Sequence, residues 1–360
     1  MAAGNSLNRP LQAVFRTTWS ESIGGGHLIR CGVLADELAR LGWTVAFAAE
    51  PAAAMPLPGG LPYPIREVSV PARDEPRMLA AAWPGGVDLL VVDHMRRDLE
   101  FERACRPWAR LIMSIDGLRR PHDCDLLLDP VNAESQPGDS VPEHCITLSG
   151  PSYAMLRPAF ARLRPGCLAR RRGSASMESI LISFGAFDPH GLTETALKGV
   201  ASERRDAAVR VILGGSSERQ AALGKTAQEL GIAVAVQGWV TDMAEAMAAA
   251  DLAIGAAGSA SWERCCLGLP SVAVVMADNQ RPVAALLERH GAAILAGTWQ
   301  QLTPEAIAAA VKQLSDDFTL RQQLIESAAA LCDGSGAVRV AVELSRLILA
   351  RPASTATQPC

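Results

Sequence analysis

Residues 13–31 read Ala13-Val14-Phe15-Arg16-Thr17-Thr18-Trp19-Ser20-Glu21-Ser22-Ile23-Gly24-Gly25-Gly26-His27-Leu28-Ile29-Arg30-Cys31. An apolar strand, Ala13 to Phe15, feeds a glycine-rich turn, and the turn opens into a helix with a histidine at its start. Three consecutive glycines let the backbone approach a ligand without Cβ obstruction, and the N–H groups of a helix start attract negative charge. Histidine is the side chain suited to moving a proton near pH 7. Downstream, Leu28, Cys31, Leu34, Ala35, Leu38 and Leu41 recur at helical spacing, Gly42 signals a C-terminal stop, and Thr44 to Ala49 reads as a second strand. A strand, helix, strand opening of this kind starts a doubly wound parallel sheet.

The cycle continues along the chain. Asp88-Leu89-Leu90-Val91-Val92-Asp93 is a continuous apolar run bounded by acids, the pattern of a buried parallel strand, and it ends at Asp93-His94-Met95 on the edge where such sheets bind ligands. Leu111 to Ile115 and Asp125 to Leu128 are further strands, and Pro51 to Pro64 reads as loop. Between Pro151 and Ser179 the pattern breaks, so residues 161–177 are read as a linker whose basic run, Arg170-Arg171-Arg172, is solvated surface rather than a phosphate trap. A second set of strands follows at Ser179–Phe184, Ala208–Leu213, Ile232–Val236, Asp251–Ile254 and Ser271–Val275. Their ends carry Gly185, Gly214-Gly215, Gly238-Trp239 and Gly255 to Ser259, which would line one edge. Helical patterns at Pro304–Leu314, Thr319–Leu331 and Ala337–Leu349 close the chain. The expected architecture is two Rossmann-like α/β domains, residues 11–160 and 178–335, facing across a cleft, with helix 336–350 packing back on the first.

At 360 residues and 49% hydrophobic, the chain exceeds one ordinary core, which supports two domains. A net charge of −4 argues against wrapping nucleic acid and for a small-molecule partner. Nine cysteines without CxxC spacing indicate reduced thiols, and no run approaches the roughly 20 apolar residues that span a bilayer. The expectation is a cytoplasmic monomer with no membrane or nucleic-acid partner. Two nucleotide signatures fail: Ile29 occupies the third glycine position of GxGxxG after Gly24 and Gly26, and Arg219 stands where a Walker loop ending at Gly224-Lys225-Thr226 needs glycine. Neither NAD nor a P-loop nucleotide is implied, and no cofactor is expected. His122-Asp123-Cys124-Asp125 alternates ligand atoms but lacks the second cluster a metal site needs.

A glycine turn with a histidine in one domain and glycine-lined strand ends in the other suit a nucleotide-diphosphate sugar. The helix near Ser259 would receive the diphosphate; Glu263 would accept from ribose hydroxyls or would simply face solvent. The stretches Ile23 to Cys31, Val92-Asp93-His94, Arg120 to Leu128, Ser152 to Pro158, Ser183-Phe184-Gly185, Gly258 to Glu263 and Asp278-Asn279-Gln280 carry a family likeness. Over about Phe15 to Glu288 the chain resembles the UDP-2,4-diacetamido-2,4,6-trideoxy-β-L-altropyranose hydrolases of pseudaminic acid biosynthesis, relatives of the GT-B glycosyltransferases.

That resemblance implies a GT-B fold and metal-independent, inverting hydrolysis that releases UDP and the free sugar. It implies His27 as general base and Asn279 as a second catalytic, substrate-side residue. It further implies substrate or UDP contacts from Arg16, Gly24, Gly25, Gly26, Asp93, Gly185, Gly238, Val240, Met243, Gly258, Ser259, Glu263 and Gln280. The chain departs from the family pattern at Thr18, where aspartate is usual, at Met95, where tyrosine is common, and at Ala186, where a second glycine is usual. The first two remove a charged acceptor and a phenol from the sugar side, where specificity is set. The alternatives are an inverting GT-B glycosyltransferase that passes the sugar from UDP to a hydroxyl acceptor, and a nucleotide-sugar-binding protein without turnover.

Overall fold

A computed structural model describes residues 9–19, 25–50, 61–132, 141–174, 176–185, 188–240 and 242–351. The chain divides into two compact units: among the described residues, those up to 155 together with 336–351 form the first, and those from 156 to 335 the second.

The first unit is built on β1 (Gln12–Thr17), β2 (Thr44–Ala49), β3 (Ile65–Glu67), β4 (Val87–Asp93), β5 (Ala109–Ile115), β6 (Leu126–Asp129) and β7 (Ile146–Ser149), joined in part by α1 (Gly26–Arg40), α2 (Glu75–Ala82) and α3 (Leu99–Cys105). All seven strands are parallel, in the order β3-β2-β1-β4-β5-β6-β7. The winding direction reverses between β1 and β4, the position at which open α/β sheets place their ligands. There Arg16 pairs in register with Val92 and Thr17 with Asp93. Every residue of β4 is buried because both sheet faces are covered. Phe15, Leu89 and Val91 pack with Leu34 and Leu38 of α1 on one face, and Val14, Leu90 and Ile112 pack on the other. The α1 stop falls as its spacing predicts: Gly42 takes a φ of +87° and gives its N–H to the Ala39 carbonyl.

The second unit begins with α4 (Pro158–Gly173) and continues through β8 (Ser179–Ser183), α5 (Leu192–Glu203), β9 (Ala208–Ile212), α6 (Ser217–Leu230), β10 (Val234–Gln237), α7 (Met243–Ala249), β11 (Leu252–Ala256), α8 (Ala260–Cys266), β12 (Ser271–Val275), α9 (Arg281–Arg289), β13 (Ile294–Thr298), α10 (Pro304–Asp316) and α11 (Phe318–Leu331). Its six parallel strands run β10-β9-β8-β11-β12-β13. The last helix, α12 (Gly336–Ala350), belongs to the first unit, where Val340, Leu344 and Ile348 join the cluster around Leu34 and Leu38.

Residues 161–177, read from sequence as a linker, are mostly the helix α4, which packs on α7, α8 and α11 inside the second unit. Pro165 lies within it and removes one helical hydrogen bond, and tertiary packing outweighs that local signal. Nor is the basic run solvated throughout. Arg171 is buried and donates to the carbonyls of Leu267, Met247 and Ala250, and Arg170 pairs with Asp251.

Helix α5 meets α10 at Gly199, where a Cβ would lie 2.5 Å from the Pro304 carbonyl oxygen and 2.7 Å from Ile307 Cβ. In α6, a Cβ on Gly224 would meet nothing within 4 Å. Gly199→Ala is therefore expected to lower stability by about 1–3 kcal/mol through overpacking, and Gly224→Ala to raise it by up to ~1 kcal/mol through helix propensity. Thermal unfolding of the two variants checks both signs.

Candidate active site

Helix α1 starts at Gly26, so His27, Arg30 and Cys31 fall at i, i+3 and i+4 and share one face. All three converge on Asp93, the last residue of β4. His27 Nδ1 lies 2.6 Å from Asp93 Oδ1, Arg30 reaches both carboxylate oxygens at 2.5 and 2.6 Å, and Cys31 Sγ is 3.4 Å from Oδ2. Asp93 is wholly buried. Burial alone would raise its pKa, but the Arg30 guanidinium and His27 override it and hold the carboxyl well below the usual carboxylate range. An ionised carboxylate only accepts, so Nδ1 carries the proton toward Asp93 and the lone pair is left on Nε2. The Arg30 Nη2 contact to His27 Nδ1 at 3.0 Å is then incidental, its proton going to Asp93. The His27 side chain keeps 14% of its surface exposed, whereas Asp93 keeps none. An imidazole held in this way by a carboxylate is chemically equipped to act as an oriented general base.

Beside it runs a second polar network. Arg16, expected to touch substrate, has no exposed surface. Its Nε donates to Glu75 at 2.5 Å, Nη1 to the Thr17 carbonyl at 2.7 Å and Glu50 at 3.2 Å, and Nη2 to Glu50 at 2.7 Å and Glu75 at 3.2 Å. These bonds account for all five guanidinium donors, so Arg16 braces the carboxyl edge of the sheet and has none left for a ligand. Glu75 also holds Arg97. His94 Nδ1 accepts the Arg96 N–H at 3.0 Å while Nε2 faces Glu50 at 2.9 Å, which fixes the neutral Nε2–H tautomer. Burial lowers the His94 pKa in agreement. Asp93 needs the same correction as Arg16: buried and engaged by three protein side chains, it positions His27 rather than meeting substrate.

Next to the site, His122 lies between Glu102 at 2.7 Å and Asp116 at 3.3 Å. Burial would lower its pKa, but these two carboxylates push it up to about 9. Asp116 also anchors Arg120, which donates to the Met95 and Arg97 carbonyls. Within stretch 122–125, Asp123 and Asp125 both pair with Arg106. Among the described residues, no group of three or more His, Cys, Asp and Glu is arranged to hold a metal ion.

Gly25 caps α1 with φ −95°, an ordinary conformation, and Gly26 is its first residue. Gly24 and Ala186 lie outside the described residues. In the second unit, Gly185 lies two residues past β8 with φ +87°, a conformation that favours glycine. Val240 and Met243 flank Asp242, which caps α7 by accepting the Glu245 N–H at 3.1 Å. Gly238 and Gly258 lie against glutamine side chains: a Cβ on either would sit 3.1 Å from Gln220 Nε2 or 3.3 Å from Gln280 Nε2. Gln280 accepts the Met276 N–H at 2.9 Å, and Asn279 is exposed in the single turn Asp278–Gln280. Ser259 precedes α8, whose opening N–H groups at Ser261 and Trp262 are already bonded to the Gly258 and Ser259 carbonyls at 2.9 and 3.1 Å. Glu263 does not face solvent. It is 3.5 Å from Arg157, and burial pushes its pKa up. His27 with Asp93 and Gly258 with Gln280 come together, each pair within its own unit. Sequence reading missed Arg30, Cys31, Glu50, Glu75 and Arg97; only Arg30 and Cys31 carried a signal, their helical spacing from His27.

Residues 190–333 match the glycosyltransferase family 28 C-terminal domain. The chain is 26% identical over 200 residues to the spore coat polysaccharide biosynthesis protein SpsG of Bacillus subtilis, covering 55% of this chain and 58% of that one. It is 33% identical over 200 residues to a UDP-N-acetylglucosamine–N-acetylmuramyl-(pentapeptide) pyrophosphoryl-undecaprenol N-acetylglucosamine transferase of Sorangium cellulosum, covering 53% and 48%. The chain thus spans about half the length of these relatives. The structure of Acinetobacter baumannii MurG superposes with a TM-score of 0.69 at 14% identity, over 94% of this chain and 100% of that one. The fold is that of the GT-B glycosyltransferases.

Replacing Arg16 by methionine leaves Glu75 with Arg97 and Glu50 with His94 as their remaining partners, with an expected loss of about 3–5 kcal/mol. Chemical denaturation measures it, and nucleotide affinity of the folded variant should be unchanged because Arg16 has no donor free for ligand. The second expectation concerns pH. Because the folded pKa of His122 lies above its unfolded value of about 6.5, its stabilisation is complete below that pH and is lost as pH rises through about 9. The unfolding free energy should drop by up to ~3 kcal/mol over that window, and His122→Asn should flatten the slope.

Proposed function

We propose that this chain is an enzyme that cleaves the anomeric carbon–oxygen bond of a UDP-sugar, with His27 activating an incoming O–H group. The observation that carries the reading is the His27–Asp93 pair at the strand-order reversal. His27 Nε2 takes the proton as the nucleophile's oxygen attacks the anomeric carbon from the side opposite the nucleotide. The bond to the diphosphate oxygen breaks with inversion, and its electron pair leaves with UDP. Asp93 holds the Nδ1–H tautomer and balances the imidazolium that forms, while Arg30 keeps Asp93 ionised. UDP needs charge stabilisation more than protonation, so one base suffices. We assign the nucleotide to the second unit, which contains the family 28 match.

The nucleophile we favour is an acceptor hydroxyl, making the enzyme an inverting glycosyltransferase, because the matched domain belongs to a transferase family and the Sorangium relative is named as a UDP-N-acetylglucosamine-using transferase. Water is the second reading, supported by the stretch Ile23 to Cys31, which resembles the pseudaminic acid pathway hydrolases. A panel of UDP-sugars followed by UDP release separates them. Transfer requires an acceptor, whereas stoichiometric UDP release from donor alone identifies hydrolysis and overturns the transferase assignment.

In either case His27→Asn should reduce kcat by about 10²- to 10⁴-fold with UDP affinity retained. Near-normal turnover in that variant removes His27 from the mechanism.

A further inference from the structure

Three arginines of the second unit are buried, and two of them spend their charge in the same way. Arg171 donates to the carbonyls of Met247 and Ala250 at the end of α7, at 2.7 and 2.9 Å, and to Leu267 at the end of α8. Arg321 donates to Leu314 and Ser315 at the end of α10. Helix C-termini carry partial negative charge, which together with Asp251 near Arg171 and Asp317 near Arg321 compensates these guanidiniums.

Arg264 differs. It is 3% exposed, and its Nη2 donates only to the Ala256 carbonyl at 2.8 Å and the Ser261 hydroxyl at 2.9 Å. Its Nε has no acceptor, and among the described residues no carboxylate is within ion-pair reach. Room for the group comes from Gly255, where a Cβ would sit 3.2 Å from Nη1. Burial lowers its pKa, and the opposing pull of Cys265 and Glu263 offsets that cost only in part. The acid next to it in sequence, Glu263, is engaged by Arg157. The two acceptors of Arg264 bracket residues 257–260, the turn at the carboxyl end of β11. With seven residues and two opening N–H groups already bonded, α8 contributes little charge of its own there.

We infer that Arg264 is a buried positioning charge for the anionic part of the ligand, favouring a nucleoside diphosphate at the turn 257–260 over the uncharged nucleoside. The inference rests on the assignment of the nucleotide to the second unit. It makes the preference for ligand charge a property of a side chain that never touches the ligand. Because the charge lies in a low-dielectric interior, its effect resists salt screening.

The test is calorimetric titration of UDP, UMP and uridine into the full chain and into Arg264→Met and Arg264→Lys. The expected result for Arg264→Met is about a tenfold loss in UDP affinity, a smaller loss for UMP and none for uridine. That pattern should persist at about 1 M salt, where the screening length is ~3 Å. Arg264→Lys should recover most of the UDP affinity. If the methionine variant does not fold, Arg264→Gln carries the same comparison without charge. Equal losses for all three ligands, or an unchanged UDP affinity, overturn the role of Arg264 while leaving the nucleotide assignment standing. If the unaltered chain binds no UDP, the nucleotide assignment falls and this inference with it.

Discussion

A carboxylate stripped of water at the end of a central strand is the constraint around which the first unit's site is arranged. Asp93 stays ionised there only because Arg30 and His27 approach it together, and they can do so only if α1 begins at Gly26 and presents positions 27, 30 and 31 on one face. Each condition requires the others. The parallel register that sets Thr17 beside Asp93 brings the start of α1 over the end of β4. A one-residue slip would turn Asp93 to the opposite sheet face.

The neighbouring network obeys the same electrostatic rule. Arg16, Glu50, Glu75 and Arg97 would each be expensive to bury alone; interlocked, they are mutually compensated. The second unit solves the problem differently, giving buried guanidiniums to the ends of helices. Arg264 is where that solution is left incomplete.

Much of this was legible in the sequence. The glycine turn, the α1 stripe and the apolar run 88–93 follow strong periodicities, and they gave the sheet, its ligand edge and His27. Three strands, β3, β7 and β13, did not show, because each lies at a sheet edge, is largely unburied and so carries no continuous apolar run. Helix α4 was hidden by Pro165, whose local signal argues against the helix that packing enforces. The role of Arg16 was out of reach, since its acceptors Glu50 and Glu75 lie 34 and 59 residues away and no local spacing relates them. Asp93 was visible as a residue at the ligand edge, but its use as a brace depends on burial, a property of the assembled sheet.

The placement of α12 has a consequence for how the protein is made. The sheet of the first unit precedes the second unit in sequence, yet the helix that completes its apolar cluster is the last element described, with Val340, Leu344 and Ile348 arriving after the whole second unit. During synthesis the second unit can close on itself as soon as α11 has emerged. The first must wait, with part of α1 uncovered, for α12 to leave the ribosome. The amino-terminal half is therefore the later one to mature, and in the interval it is the half that a chaperone would recognise.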